Sequence, residues 1–369
     1  MSKEKFIPIY EPLLNGNESK YLNQCIDTGW ISSKGQFVTD FESAFANYIG
    51  VPYALTTANG TVALHLALES MEIGPGDEVL VPDLTFAASV NAILYTGATP
   101  VLVDVNKHTY NIDFLLAEKL VTPNTKAIMP VHLYGRSANM DLCTELAEKY
   151  NLMVIEDAAE SFGSEYKQRK TGSMGDVGCF SFFGNKTITT GEGGMITFKD
   201  KKLYQKAKTL RDHGMDPEKT YWHNHIGFNY RMTNMQAAIG LAQIERVEEI
   251  LNKKIEIAEY YKANLKPIPG ISFVPDDSNY LNTYWLVTII VEPSVFGKTR
   301  DQVVHTLRNF NIDSRPVFYP IHIMPPYRHL ANTDFTNSNF ISNNGLSLPS
   351  SLNLTTEDID RVCNTLLNQ

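Results

Sequence analysis

The chain reads as an α/β protein: a large domain on a mostly parallel seven-stranded sheet, followed by a smaller C-terminal α+β domain. Three observations predict this. Its 369 residues exceed one ordinary core and suit two domains. From Tyr53 to Phe198, short and almost wholly apolar runs alternate with helical patterns, as in a sheet covered on both faces. After Pro267–Gly270 that alternation stops, and a strand and separate helices follow.

The elements follow in order. Strands are predicted over Tyr53–Thr56, Glu78–Val81, Thr99–Val103, Lys126–Val131, Leu152–Glu156, Val177–Phe182 and Gly194–Phe198. Between several of them, helices are predicted over Thr61–Ser70, Ala87–Tyr95, Ile112–Leu120 and Asp141–Tyr150. A helical stretch from Met235 to Leu265, with an internal break, joins the domains. The expected division is 1–245 and 246–369, with the N-terminal segment available to pack on the small domain. In the latter, Tyr284–Val291 reads as a strand, and Arg300–Asn309 and Thr356–Leu367 as helices. Asn332–Asn344, rich in Asn and Ser, reads as a surface loop or a poorly formed helix. No internal repeat or low-complexity tract interrupts this organisation.

Composition narrows the function classes. Hydrophobic residues are 43% and charged residues 20%, the balance of a soluble globular protein. A net charge of −9 argues against a nucleic-acid surface. An anionic ligand must therefore meet a locally positive site, or one rich in backbone N–H groups. Cys25, Cys143, Cys179 and Cys363 form no CxxC pair and no Cys/His metal spacing, so they read as reduced thiols of a cytoplasmic protein, with no metal site. The first residues carry no apolar signal-peptide core, and no apolar run approaches the roughly 18 residues of a membrane span.

In a parallel sheet, ligands sit beyond the carboxyl ends of the strands. Asp157 stands at such an end, after Leu152–Glu156; alone it reads equally as a helix N-cap. The run Val177–Lys186 leads from a strand into a turn and one lysine, followed by hydroxyls and glycines up to Met195. An enclosed lysine loses solvation, its amine pKa falls and it becomes nucleophilic; alone, Lys186 could instead pair with Glu192. The turn Thr56–Thr61 opens a helix whose free N–H groups and dipole form an anion site, and Gly60 permits close backbone approach; an ordinary capped helix is the plainer reading. There is neither GxGxxG nor GxxxxGK[ST]. One ligand fits all three features: pyridoxal 5′-phosphate (PLP), with a phosphate, a ring nitrogen that wants a carboxylate and an aldehyde that wants a lysine. Phe86 lies at the right edge to stack on its ring.

The motifs ANGT, PDLTFAAS, VHLYG, IEDAAES, FSFFGNKTITTGEGGM and NYRMTN, in this order, resemble those of the DegT/DnrJ/EryC1/StrS sugar aminotransferases. The resemblance spans essentially the whole chain, including IPIYEP, TGWISSKG and SRPVFYPIH. It implies a fold-type-I PLP-dependent transferase. Lys186 then matches the lysine that covalently carries the cofactor, and Asp157 the acid at the pyridine nitrogen. Glu160 matches the position near the ring hydroxyl, Ser181 a phosphate ligand, Gly60 and Thr61 the phosphate turn, and Phe86 the stacking aromatic. Asn229 matches an Asn that reaches the phosphate from the neighbouring subunit, which implies a homodimer with its active site at the interface.

The activity implied is ping-pong transamination with L-glutamate as donor and a nucleotide-linked keto-sugar as acceptor. The closest resemblance within the family is to enzymes that aminate C4 of GDP-4-keto-6-deoxy-D-mannose; UDP-linked 4-keto-6-deoxyglucose is the rival substrate. Trp30, Ser32, Lys34, His223, Arg231, Arg315 and His322 are candidate substrate contacts, since a diphosphate wants cationic donors. Trp30 reads equally as a core anchor and Arg231 as a structural ion pair. His65 and His132 lie in apolar elements and read as hydrogen-bonded structural residues. Related dehydratases carry histidine in place of the lysine, so Lys186 favours transamination. A non-catalytic regulator would need a damaged site or an added DNA-binding segment, and neither is visible.

Overall fold

The computed structural model describes residues 5–367. Its strands, in chain order, are β1 (Tyr53–Thr57), β2 (Glu78–Pro82), β3 (Thr99–Val103), β4 (Thr125–Ile128), β5 (Met153–Asp157), β6 (Glu165–Tyr166), β7 (Arg169–Lys170), β8 (Val177–Ser181) and β9 (Gly194–Phe198). Then come β10 (Ile271–Ser272), β11 (Tyr280–Leu281), β12 (Val287–Val291), β13 (Arg315–Pro316) and β14 (Gly345–Leu348). Seven of them form the large sheet in the order β1-β9-β8-β5-β4-β2-β3. β9 runs antiparallel to both its neighbours, and the other pairings are parallel. The strands are buried along almost their whole length because helices cover both faces, hence their continuous rather than alternating apolarity.

Local chemistry starts the covering helices. The side chain of Asn59 accepts from the Val62 N–H and caps Gly60–Ser70; Asn139 and Asp200 cap Met140–Tyr150 and Lys201–Arg211 in the same way. The stretch predicted over Met235–Leu265 is two helices, Asn234–Ile244 and Val247–Leu265, and a Thr233–Gln236 capping box opens the first. Two helices not anticipated in the sequence, Glu18–Thr28 and Gln36–Ile49, pack on Asn234–Ile244. Close approach there depends on Gly240, where an added Cβ would lie 2.5 Å from the Phe41 ring.

Beyond the long helix Val247–Leu265, a four-stranded antiparallel sheet, β10-β12-β14-β13, builds a second core with Ile257, Tyr261, Val303, Leu307 and Val362. Ile7 joins this core and bridges to Ile312, so the N-terminal segment lies along the small domain. A three-stranded ribbon, β11-β6-β7, ties the two regions together.

One expectation changes and one choice is decided. The strand predicted from Tyr284 begins only at Val287, because Tyr284 is left-handed (φ 48°) and turns the chain out of the ladder. Of the two readings of 332–344, a surface loop or a poorly formed helix, the structure decides for a helix over Thr336–Asn344: Phe335 and Ile341 are buried, and the buried Asp104 accepts from the Ser338 N–H and hydroxyl at 2.8 and 2.7 Å. A partner distant in sequence overrides a weak local propensity. Among the described residues, all four cysteines are free and buried, and no helix is long and apolar enough to cross a membrane.

Candidate active site

A cleft of about 590 Å³ opens at the carboxyl ends of the large sheet. β1, β5 and β8 each deliver one wall. After β1, Asn59 caps the helix Gly60–Ser70, and the first-turn N–H groups of Gly60 and Thr61 have no intrahelical acceptor. Ser181, the last residue of β8, packs against this turn. A Cβ at Gly60 would lie 2.7 Å from Ser181 Cβ, so glycine alone leaves room for the hydroxyl and the N–H groups to share one cradle. Positive helix-end charge, N–H donors and two hydroxyls suit a phosphate.

β5 ends in two carboxylates, and strand alternation sends them to opposite sides. The Glu156 carboxylate points inward. It accepts from His132 Nε2 at 2.9 Å and from the N–H groups of Gly172, Met174 and Gly175 at 2.8, 2.6 and 2.6 Å. His132 Nδ1 accepts from the Ala138 N–H, which leaves its proton on Nε2. Both histidines in apolar elements are hydrogen-bonded, His65 to the Tyr230 hydroxyl. Asp157 faces the cleft. The Ser89 hydroxyl donates to it at 2.7 Å and the Ala159 N–H at 3.1 Å. Burial pushes the Asp157 carboxyl up, while Ser89, Ala159 and Lys186 pull it back.

Lys186 is enclosed, and burial pushes its amine down against the pull of Glu160 and Asp157. Its Nζ lies 3.6 Å from Glu160 Oε1 and 3.7 Å above the centroid of the Trp285 ring. The nearby acid is thus Glu160, not Glu192, which is exposed at the cleft wall. Glu160 accepts from the Tyr134 N–H at 3.0 Å, and burial pushes its carboxyl up to about 7. Trp285 stacks on Tyr134, Tyr134 on Phe318, and Phe318 meets Phe86 at 5.7 Å. Phe86 is 59% exposed, as a stacking face must be. Sequence reasoning found Phe86 but missed Trp285 and Phe318. The usable signal was an aromatic in SRPVFYPIH and a lone Trp at a strand start.

The remaining predicted residues lie outside this cleft. Asn229 is exposed and its side-chain oxygen accepts from Arg231 at 2.8 and 3.1 Å; Arg231 also pairs with Asp212. The ring of His223 is bonded to the His213 carbonyl. Trp30 is 57% exposed, which removes the core-anchor reading; its carbonyl and that of Ser32 accept from Asn234, and Lys34 is exposed. Arg315 pairs with Asp313, while His322 bonds Asp83 at 2.8 Å and stacks on Phe335. The described lining of the cleft therefore contains one cationic side chain, Lys186.

Known proteins share this arrangement's chain. Residues 12–367 match the DegT/DnrJ/EryC1/StrS aminotransferase family. The chain belongs to that family. Proteins named GDP-perosamine synthase from Caulobacter vibrioides, Escherichia coli O157:H7 and Vibrio cholerae are 51%, 45% and 43% identical to this aminotransferase, covering 98% of each chain. Among solved structures, Streptomyces venezuelae DesV in complex with a ketimine intermediate is 32% identical with a TM-score of 0.90, covering 95% of this chain and 94% of that one. DesI in the presence of its TDP-sugar product is 28% identical with a TM-score of 0.92, covering 98% and 92%.

The aminotransferase's own residues fit the cofactor expected from its sequence. A phosphate cradle that a Cβ at Gly60 would fill, a buried carboxylate, an enclosed amine and an exposed aromatic face line one cleft. Their chemistry corresponds group by group to phosphate, ring nitrogen, aldehyde and ring.

Proposed function

We propose that this aminotransferase is PLP-dependent and moves the amino group of L-glutamate to C4 of a nucleotide-linked 4-keto-6-deoxy sugar. GDP-4-keto-6-deoxy-D-mannose is the acceptor and GDP-perosamine the product. The observation that carries the reading is the convergence of Lys186, Asp157 and the Gly60–Ser181 cradle in one cleft. The near-full-length likeness to three GDP-perosamine synthases supports the choice of sugar.

Bound PLP would supply an electrophilic aldehyde and a ring that withdraws electrons from the reacting carbon. Gly60, Thr61 and Ser181 would hold its phosphate, and Phe86 offers an aromatic face for its ring. Asp157 would pair with the ring nitrogen and keep it protonated. With the cofactor bound, Lys186 Nζ would hold its aldehyde and, once released by the donor, would be the group that takes up and returns the proton of the amine-bearing carbon. Burial, which pushes the amine pKa down, favours the unprotonated lysine that both tasks need. Glu160, 3.6 Å away, steadies that amine and would lie toward the ring hydroxyl.

Since Lys186 is the one cation among the described residues lining the cleft, the substrate's diphosphate draws on other donors. Asn229 reaches the cofactor phosphate from the second subunit of a homodimer, and Lys34, His223 and Arg231 are candidate donors to the substrate. Trp30, Ser32, Arg315 and His322 are further candidate substrate contacts. Four free thiols suit a reducing cytoplasm.

Borohydride treatment should fix the cofactor on the Lys186 peptide, and Lys186→Ala should lose activity by many orders while still binding PLP. Near-normal turnover of that variant would end the mechanism. An assay with glutamate and either the GDP- or the UDP-linked 4-keto-6-deoxy sugar then tests the substrate. Amination of the UDP sugar alone would overturn the nucleotide, and amination of neither would overturn the substrate class.

A further inference from the structure

Lys254 lies in the long helix Val247–Leu265 and is 1% exposed. Burial pushes its amine down to about 7. Among the described residues, no carboxylate offsets this. Its Nζ donates instead to two backbone carbonyls, Trp285 at 2.8 Å and Ser350 at 2.7 Å, and sits 4.9 Å above the Tyr10 ring. Charged or neutral, the amine keeps one N–H for each carbonyl.

These two carbonyls occupy a particular place in the fold. β12 pairs with β14 through Val287↔Leu348, and the same register carried two residues on would pair 285 with 350. The ladder does not continue. Tyr284 is left-handed, the Ser350 hydroxyl accepts from the Val287 N–H at 2.8 Å, and Lys254 takes both carbonyls. Lys254 thus ends the ladder where the chain turns Trp285 toward the cleft. Two arms lead from there to the reacting lysine. Trp285 Nε1 donates to the Asn185 carbonyl at 2.6 Å and its ring lies under Lys186 Nζ. The Tyr10 hydroxyl, on the ring beneath Lys254, donates to the Lys186 carbonyl at 2.7 Å.

We propose that Lys254 is a positioning residue for Lys186, acting through Trp285 on one side and Tyr10 on the other. A buried amine without a carboxylate partner contributes little to stability relative to an apolar residue of the same length. Its consequence is geometric: it fixes two main-chain carbonyls and one ring, and these fix residues 185 and 186. The role rests on Lys186 being the reacting amine.

The test uses the full chain and two readouts. In cofactor-free protein carrying Trp30→Phe and Trp222→Phe, Trp285 is the remaining tryptophan, and it is 4% exposed. Adding Lys254→Met should shift its emission to longer wavelength and raise its quenching by acrylamide, while the far-ultraviolet circular dichroism is retained. In the otherwise unaltered holoenzyme, Lys254→Met should lower kcat by roughly 10- to 100-fold, the range for displacing a reacting group without touching it, with KM for glutamate little changed. Tyr10→Phe, which keeps the ring, tests the second arm if Lys254→Met does not fold. It should lower kcat in the same direction, and less than additively when combined with Lys254→Met. Unchanged fluorescence with kcat within twofold of the parent would overturn the proposal, as would a Tyr10→Phe enzyme of unaltered kcat. A failed borohydride fixation at Lys186 would instead overturn the cofactor reading and leave the fluorescence result standing.

Discussion

At the scale of single residues, the site separates two adjacent carboxylates by geometry alone. Glu156 turns inward and His132 and three N–H groups, working against burial, hold it below the ordinary glutamate value. Asp157 turns to the cleft, and Glu160 one turn later is pushed up to about 7 by burial. That shift makes a pH prediction. A carboxyl whose folded value lies above its ordinary 4.5 binds protons in the native state that the unfolded chain has released. Stability therefore falls as pH rises from about 4.5 to about 7. Glu160→Gln removes this ionisation. In cofactor-free protein, its melting temperature relative to the parent should climb between pH 5 and pH 8. A constant difference across that range would contradict the burial argument. Asp157 and Lys186 were legible as residue types at a strand end and in a turn. The Lys186–Glu160 pairing was not, because a 26-residue separation gives the sequence no means of choosing Glu160 over Glu192.

At the scale of elements, the turn between β1 and the helix Gly60–Ser70 shows packing overruling propensity. Alanine at a first helical position is locally favourable compared with glycine. Here its Cβ would meet Ser181 Cβ at 2.7 Å and the Ser181 main chain at 3.3 Å. Gly60→Ala should thus cost about 1–3 kcal/mol, the range for overpacking, and weaken cofactor retention. Thermal melts and dialysis of the holoenzyme measure both; a stabilised variant that holds the cofactor normally would show that the turn has slack. The same contest explains the elements misjudged or left open in sequence. Thr336–Asn344 has poor helical composition, yet Asp104 and the burial of Ile341 make it a helix. The strand expected from Tyr284 loses its first turns to a left-handed residue and to Lys254.

At the scale of the whole molecule, the cleft is one-sided in its chemistry. Asn229 and Arg231 are tied to each other and to Asp212, away from it. Exposed Ile26, Trp30 and Ile31, with Tyr221, Trp222 and Ile226, supply apolar area of the kind that associating subunits cover. If Asn229 works from the partner subunit, an equal mixture of Lys186→Ala and Asn229→Ala, each inactive alone, should recover roughly a quarter of the parental activity on subunit exchange, since half the dimers are mixed and each holds one intact site. No recovery would place Asn229 in the cleft of its own chain, and an Asn229→Ala variant active alone would place it outside catalysis.

The sequence by itself determined the alternating strands and helices, the sheet's mostly parallel character, the turn at Gly60, and the placing of a lysine in a turn and an acid at a strand end. These follow from periodicity, capping chemistry and local motifs, which are properties of neighbours along the chain. Only the tertiary structure decided that Trp285 lies beneath Lys186, that Glu160 is the acid beside it, and that Lys254 takes the two carbonyls at which a ladder ends. Those relations depend on which buried polar groups find partners once the elements pack, and distant segments supply the partners.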